Sequence, residues 1–436
     1  MKSWPLSSAK NRVPGRRPCG IIFSAIFFLT RRITLKNIKH LLVILCVLGL
    51  GSLLCGEAWA RPQNLEQLKD IENHLAIVPL QGAITSIYRP NYDSVMEANL
   101  KLSDNEPVFV VQFPDKARIY PQQYMVWHQV VNELIDDVAY AVTYCPITGT
   151  LMAYNAYMDG LNLTFDVEIH EATEGFAGFL YDGNSVLIDR NSGSLWLQET
   201  GMAFSGPLLG RGMPTIPVFW TTWQKAKKVY PDAGVLSRPR GRRPYGRDPY
   251  GNYLRKGTYY DNDVLVYPPR RLDRRFHRKA PMYCMEYDNF LLAIEIEYVR
   301  KEGCVNFFLG SIPLLAVYDP ALDVVRVYNR QVWADPFLFV ILNGKLVDLA
   351  TKSVWDRATG QALEGNMKGA AMKQFFGVYS MWFAWYSINP ETFVVPGPGV
   401  VKSNLLSPTP PGVDKEGKPE NPLPKPDGKL PGKATW

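Results

Sequence analysis

The chain repeats itself, and this constrains the fold more than any single motif. Displaced by 174 residues, Pro107 falls on Pro281, "VVN" at 130–132 on "CVN" at 304–306, and "AVTYCP" at 141–146 on "LAVYDP" at 315–320. Tyr144 then meets Tyr318, Pro146 meets Pro320, and the Tyr-Asn pair at 154–155 meets its like at 328–329. After a deletion of fifteen residues the offset becomes 159, and "SLWLQETGMAFSG" at 194–206 lies over "SVWDRATGQALEG" at 353–365. Trp223 meets Trp382, Pro231 meets Pro390 and Val235 meets Val394. Coincidence does not place so many Trp, Gly and Pro residues in one register. The two copies run over residues 107–236 and 281–395.

Within each copy the pattern is mostly short strands. "PVFVVQF", "AYAVTYC", "GTLMAYN" and "SVLIDR" are β-branched or aromatic runs closed by Gly, Asn and Asp turns. Two stretches carry helical spacing: "PQQYMVWHQVVNELI" at 121–135, and "TTWQKAKKVYP" at 221–231, capped by Thr222 and ended by Pro231. The expected fold is therefore a β-rich α+β protein. Two tandem pseudo-repeats each hold several short antiparallel strands and two short helices.

The net charge of +7 misleads. Residues 1–60 hold nine Lys/Arg and one acid; without them 39 basic side chains face 40 acidic ones. A nucleic-acid partner is not indicated. The same segment carries the apolar run "LLVILCVLGLGSLLC" at 41–55, preceded by basic residues and followed by "AWA" at 58–60. It reads as a signal peptide cleaved after Ala60, or as an N-terminal membrane anchor, and the protein as extracytoplasmic: periplasmic, secreted, or anchored facing the periplasm. Residues 61–106 form a lead-in. Residues 396–436, rich in Pro, Lys and Gly, bury too little to fold and read as a disordered tail.

Cys145, Cys284 and Cys304 remain outside the leader, an odd number that excludes a disulfide scaffold. Cys284 and Cys304 fall on Val110 and Val130 of the other copy, which are core-type positions. Cys145 differs: its counterpart is Asp319, although the flanking Tyr and Pro are kept. The backbone niche is shared while the reactive group changes. Cys145 is thus the candidate nucleophile or redox thiol, with His128, seventeen residues earlier, as the base that activates it. The alternative is a small buried residue at a strand end. Thr148 stands where a C-x-x-C pair would place its second sulfur, so a self-contained dithiol cycle is excluded. Zinc-type spacings, phosphate-cradling glycine loops and a G-x-S-x-G elbow are absent from the sequence, and neither metal nor cofactor is expected.

Residues 237–280 form a connecting insert; its stretch 238–280 has thirteen Lys/Arg against four acids. Its tyrosines are expected to pack on the core. The sharper reading makes it a surface for an anionic ligand, contacted by Arg240, Arg242, Arg243, Tyr245, Arg247 and Tyr250.

"ARIYP" at 117–121, "WHQVVN" at 127–132, "VAYAVTYCPITGT" at 138–150, "DRNSGSLWLQETGMAFSGPLLG" at 189–210 and "YGRDPYGNY" at 245–253 resemble an exported bacterial family, domain of unknown function 3179. The resemblance runs from about residue 84 to 395. It implies thiol or selenol chemistry somewhere in the family, since many relatives carry a second cysteine at the place of Thr148. It supplies no activity. Two functions follow as expectations: a single-thiol redox or transfer enzyme using Cys145, or a non-catalytic ligand-binding or envelope scaffold module, with a small molecule or an envelope protein as partner.

Overall fold

Strand-forming runs dominate both halves, and in the computed structural model they form six sheets among the described residues. The structure describes residues 65–79, 84–167, 169–171, 175–332, 336–397 and 401–402. The segment 1–60, expected to be a signal peptide or anchor, and nearly all of the expected tail lie outside the described residues. The protein is β-rich with few helices, as expected.

The first half supplies β1 (Pro107–Gln112), β2 (Ala117–Pro121), helix α1 (Gln122–His128), β3 (Val130–Ile135), β4 (Val138–Cys145), β5 (Thr150–Asn155), β6 (Val218–Thr222), helix α2 (Trp223–Val229) and β7 (Gly234–Leu236). The second half supplies β8 (Pro281–Tyr287), β9 (Phe290–Glu295), helix α3 (Ile296–Glu302), β10 (Cys304–Leu309), β11 (Ile312–Asp319), β12 (Val324–Asn329), β13 (Val378–Met381), helix α4 (Trp382–Ile388) and β14 (Phe393–Val395). Strand order β6-β1-β2-β7 occurs in one sheet and β13-β8-β9-β14 in another; β3-β4-β5 and β10-β11-β12 are the antiparallel ladders beside them.

Helix α1 is shorter than its spacing predicts. It stops at His128 because Gln129 takes a left-handed conformation, φ 57°. Beyond it Val130 and Val131, whose β-branched side chains favour extended backbone, open β3 instead. A tail beginning at 396 is also displaced: Val401–Lys402 pairs with Val305 and Asn306 of β10.

Several side-chain arrangements occur twice. Trp196 Nε1 donates to Asp189 and Trp355 Nε1 to Asp348, both at 2.9 Å. Asn132 closes a two-bond ring with the Phe165 backbone, and Asn306 does so with Phe339. Tyr154 donates to Gln198 O and Tyr328 to Arg357 O. Each tryptophan is buried, so its indole N–H needs a partner, and the aspartate that provides one also ties the adjoining turn.

The halves meet where β13 of the second continues the ladder of the first, pairing Tyr379 with Leu151. Met381 N donates to Thr148 O at 2.9 Å, and Thr221 Oγ1 to Leu322 O. One apolar core, including Phe109, Tyr144, Leu151, Phe219, Leu292, Val305 and Val325, runs through both halves.

Cys284 and Cys304 are buried and free, so no bridge joins them; burial raises both thiols, that of Cys304 to about 12. Asp319, the counterpart of Cys145, is buried against Arg326 at 2.9 Å, and that guanidinium lies over the Phe219 ring. Its role is a buried ion pair. Asp319→Ala strands the Arg326 charge, and urea unfolding should show a loss of about 3–5 kcal/mol. Adding Arg326→Met should restore most of it; no recovery in the double variant would mean that the pair is not the cause.

Candidate functional site

The turn between β4 and β5 organises the site. Cys145 ends β4 opposite Thr150, and the chain reverses through Gly149, whose positive φ of 64° suits a glycine. Cys145 is fully buried. It packs with Ile147, Leu180, Met381, Phe383 and two tyrosines of the insert, Tyr259 and Tyr260. The polar contact of its sulfur is a distant one, Gly183 O at 3.9 Å.

His128 does approach this strand through the backbone, since Tyr144 N donates to Gln129 O. The side chains part. His128 Nδ1 lies 2.6 Å from Thr85 O, and Nε2 lies 2.6 Å from the Tyr245 hydroxyl. A carbonyl only accepts, so Nδ1 carries the proton and Nε2 accepts from Tyr245. Burial lowers the pKa of the ring and favours this neutral tautomer. Both nitrogens are committed away from Cys145.

On the other side of the turn lies a buried polar network absent from the sequence reading. Asn184 Nδ2 donates to Thr148 Oγ1 and to Gln198 Oε1, and Gln198 Nε2 donates to Thr143 Oγ1, each at 2.9 Å. Thr150 links Thr148 to Ser380 of β13, and Ser380 donates to Glu199 at 3.1 Å. Burial pushes the Glu199 carboxyl up to about 7; the Ser380 bond opposes this and the charge of Asp182 adds to it. The two sequence offsets place Val317, Leu322, Val324 and Ala358 opposite Thr143, Thr148, Thr150 and Glu199. The contrast between "LQETG" and "DRATG" at the 159-residue offset is the available signal: an acid in one segment and alanine in the other.

The insert covers the turn with aromatic rings. Tyr245 meets Tyr124 edge-on at 5.2 Å, Arg243 lies over Trp127, and Tyr250, Tyr253, Tyr259 and Tyr260 contact one another. Asp248 receives Gln122 Nε2 and the Tyr260 hydroxyl. Arg240, Arg242 and Arg247 are exposed.

A cavity of about 260 Å3 opens where the two halves and the insert meet. Gly149 and Trp220 line it from the first half, Tyr253, Tyr260 and Lys279 from the insert, and Arg300, Asp323, Tyr379 and Ser380 from the second half. Arg242, Arg243, Tyr245, Arg247 and Tyr250 do not line it. Among the described residues, no group of three His, Cys, Asp or Glu side chains could hold a metal.

Two carboxyls set a pH dependence. Glu199 titrates near 7, and burial raises Glu133, which accepts the Tyr120 hydroxyl at 2.5 Å, to about 8. Both folded values lie above the ordinary carboxyl value of about 4.3. Their stabilising share is full below that value and is lost as pH rises through about 7 and about 8. Unfolding midpoints should therefore fall across this window. Glu199→Gln should make the fall below about pH 7 shallower, leaving the share of Glu133, and an unchanged profile in that variant would refute the assignment.

No curated protein and no solved structure matches the chain. A family model matches residues 81–392, a range that includes the turn, the polar network and the insert, and the chain belongs to that family, described as protein of unknown function (DUF3179).

Proposed function

We propose that the protein is a ligand-binding module, with the junction cavity as its binding site and Cys145 as a packing residue beneath it. One observation carries this reading: aromatic and charged side chains from three separate segments converge on one cavity, the arrangement that small-molecule sites commonly use. The single-thiol enzyme reading has less behind it. A thiolate nucleophile needs access and an electropositive or basic neighbour. Cys145 has zero exposure, and its proposed base is bonded elsewhere.

The cavity's position also supports reading the halves as duplicated copies. Equivalent positions Thr221 and Ser380 both line it, one from each half. In this reading the second copy gave up the polar network and kept the scaffold, while the first kept both. An extracytoplasmic location rests on the leader sequence alone.

Two measurements test the proposal. Native protein treated with iodoacetamide should leave Cys145 unmodified until the protein is unfolded. Rapid native labelling that disappears in His128→Ala would revive the thiol enzyme. For the cavity, Trp220 is a built-in reporter, its ring 4.9 Å from that of Tyr253. Small ring compounds that bind should change an emission component missing from Trp220→Phe, and Tyr253→Ala should weaken them about tenfold, on the order of one stacking contact. If compounds stabilise the protein but Trp220 never responds, the site is elsewhere.

A further inference from the structure

The two cations that line the junction cavity are held differently. Arg300 is answered by two carboxylates, Asp323 at 2.9 Å and Glu297. Lys279 on the insert is only 2% exposed and, among the described residues, has no carboxylate within ion-pair distance. Its ammonium donates to Tyr259 O and to Asn262 Oδ1 at 3.1 Å, and lies 3.5 Å from the centre of the Tyr259 ring. These partners solvate the cation without neutralising it. A carbonyl, an amide and a ring face carry only partial negative charge. A buried cation is costly unless a full negative charge is brought to it.

We propose that the cavity recognises a singly charged ring carboxylate, its acid group seated on Lys279 and its ring against the wall formed by Trp220, Tyr253 and Tyr260. This rests on the reading of the cavity as the binding site. Three features define the class. The volume of about 260 Å3 is below the roughly 300–1,000 Å3 of pockets for drug-sized ligands, so one ring fits and an oligomer does not. The aromatic wall offers flat faces for stacking or for the apolar face of a sugar. Glu297 and Asp323 stand in the same wall and repel a second negative charge, so phosphate esters and dicarboxylates are disfavoured.

The probes are benzoate and glucuronate, against benzyl alcohol and methyl glucoside as their uncharged counterparts, read by Trp220 emission and by the unfolding midpoint. At least one acid should bind about tenfold or more tightly than its neutral counterpart, a charge-assisted contact's worth of preference. Which acid binds distinguishes an aromatic from a sugar ring. Lys279→Met should abolish the preference and Lys279→Arg should keep it. Should Lys279→Met not fold, the wild type decides. Burial lowers the ammonium to about 8, with Arg278 lowering it further and Asp261 and Asp263 opposing. Raising the pH from about 7 to about 9.5 should therefore weaken the acid and leave the neutral compound unchanged. If acid and neutral compounds bind equally, or if the preference survives both Lys279→Met and the pH change, the inference is overturned and the cavity remains a binding site. If no probe affects Trp220, the inference and the cavity reading fall together.

Discussion

The contact between β13 and the turn that follows β4 is the constraint on which the rest depends. A strand that ends a ladder exposes unpaired N–H and C=O groups. Here β5 would be such an edge, and β13 covers it through the Tyr379–Leu151 pair and the bond from Met381 N to Thr148 O. That docking extends one sheet across both halves and carries Ser380 to Thr150 and Glu199. It also holds the backbone at Gly149 against Met381, so the first and second halves share a cavity wall.

The polar network makes this junction selective as well as adhesive. Thr143, Thr148 and Thr150 are fully buried, with Asn184, Gln198, Glu199 and Ser380 nearly so. Each would cost stability if its partners moved away. Sliding β13 by one residue would turn Ser380 to the opposite face of the sheet and leave Glu199 without its donor. Apolar packing alone tolerates such shifts more readily. The hydroxyls thus fix the register that the surrounding core only favours.

Much of this was legible in the sequence, and the reasons differ by residue. Strand positions could be read because alternation and turn residues are local properties: β4, β5, β11 and β12 lie where their runs and turns place them. Trp196 and Trp355 could be placed in the core because their recurrence points to packing rather than chemistry. The end of α1 could not, because helical spacing over 121–135 continues past a break made by one left-handed residue, Gln129. Glu199 and Lys279 are harder still. Each is ordinary in sequence and becomes informative only through burial, which depends on segments far along the chain: Ser380 for the first, Tyr259 and Asn262 for the second.

The sequence contrast between Cys145 and Asp319, which suggests a difference in reactivity, also has an electrostatic side. Asp319 has a partner built for it in Arg326, whose counterpart beside Cys145 is Met152. An aspartate at position 145 would be a buried carboxylate without that cation, whereas a thiol there packs as a small apolar group. Three and five residues onward, at Thr148 and Thr150, the turn carries buried hydroxyls, while the 174-residue offset gives Leu322 and Val324. These hydroxyls lead through Ser380 to Glu199, beside the cavity where Lys279 supplies a cation lacking an acidic partner among the described residues.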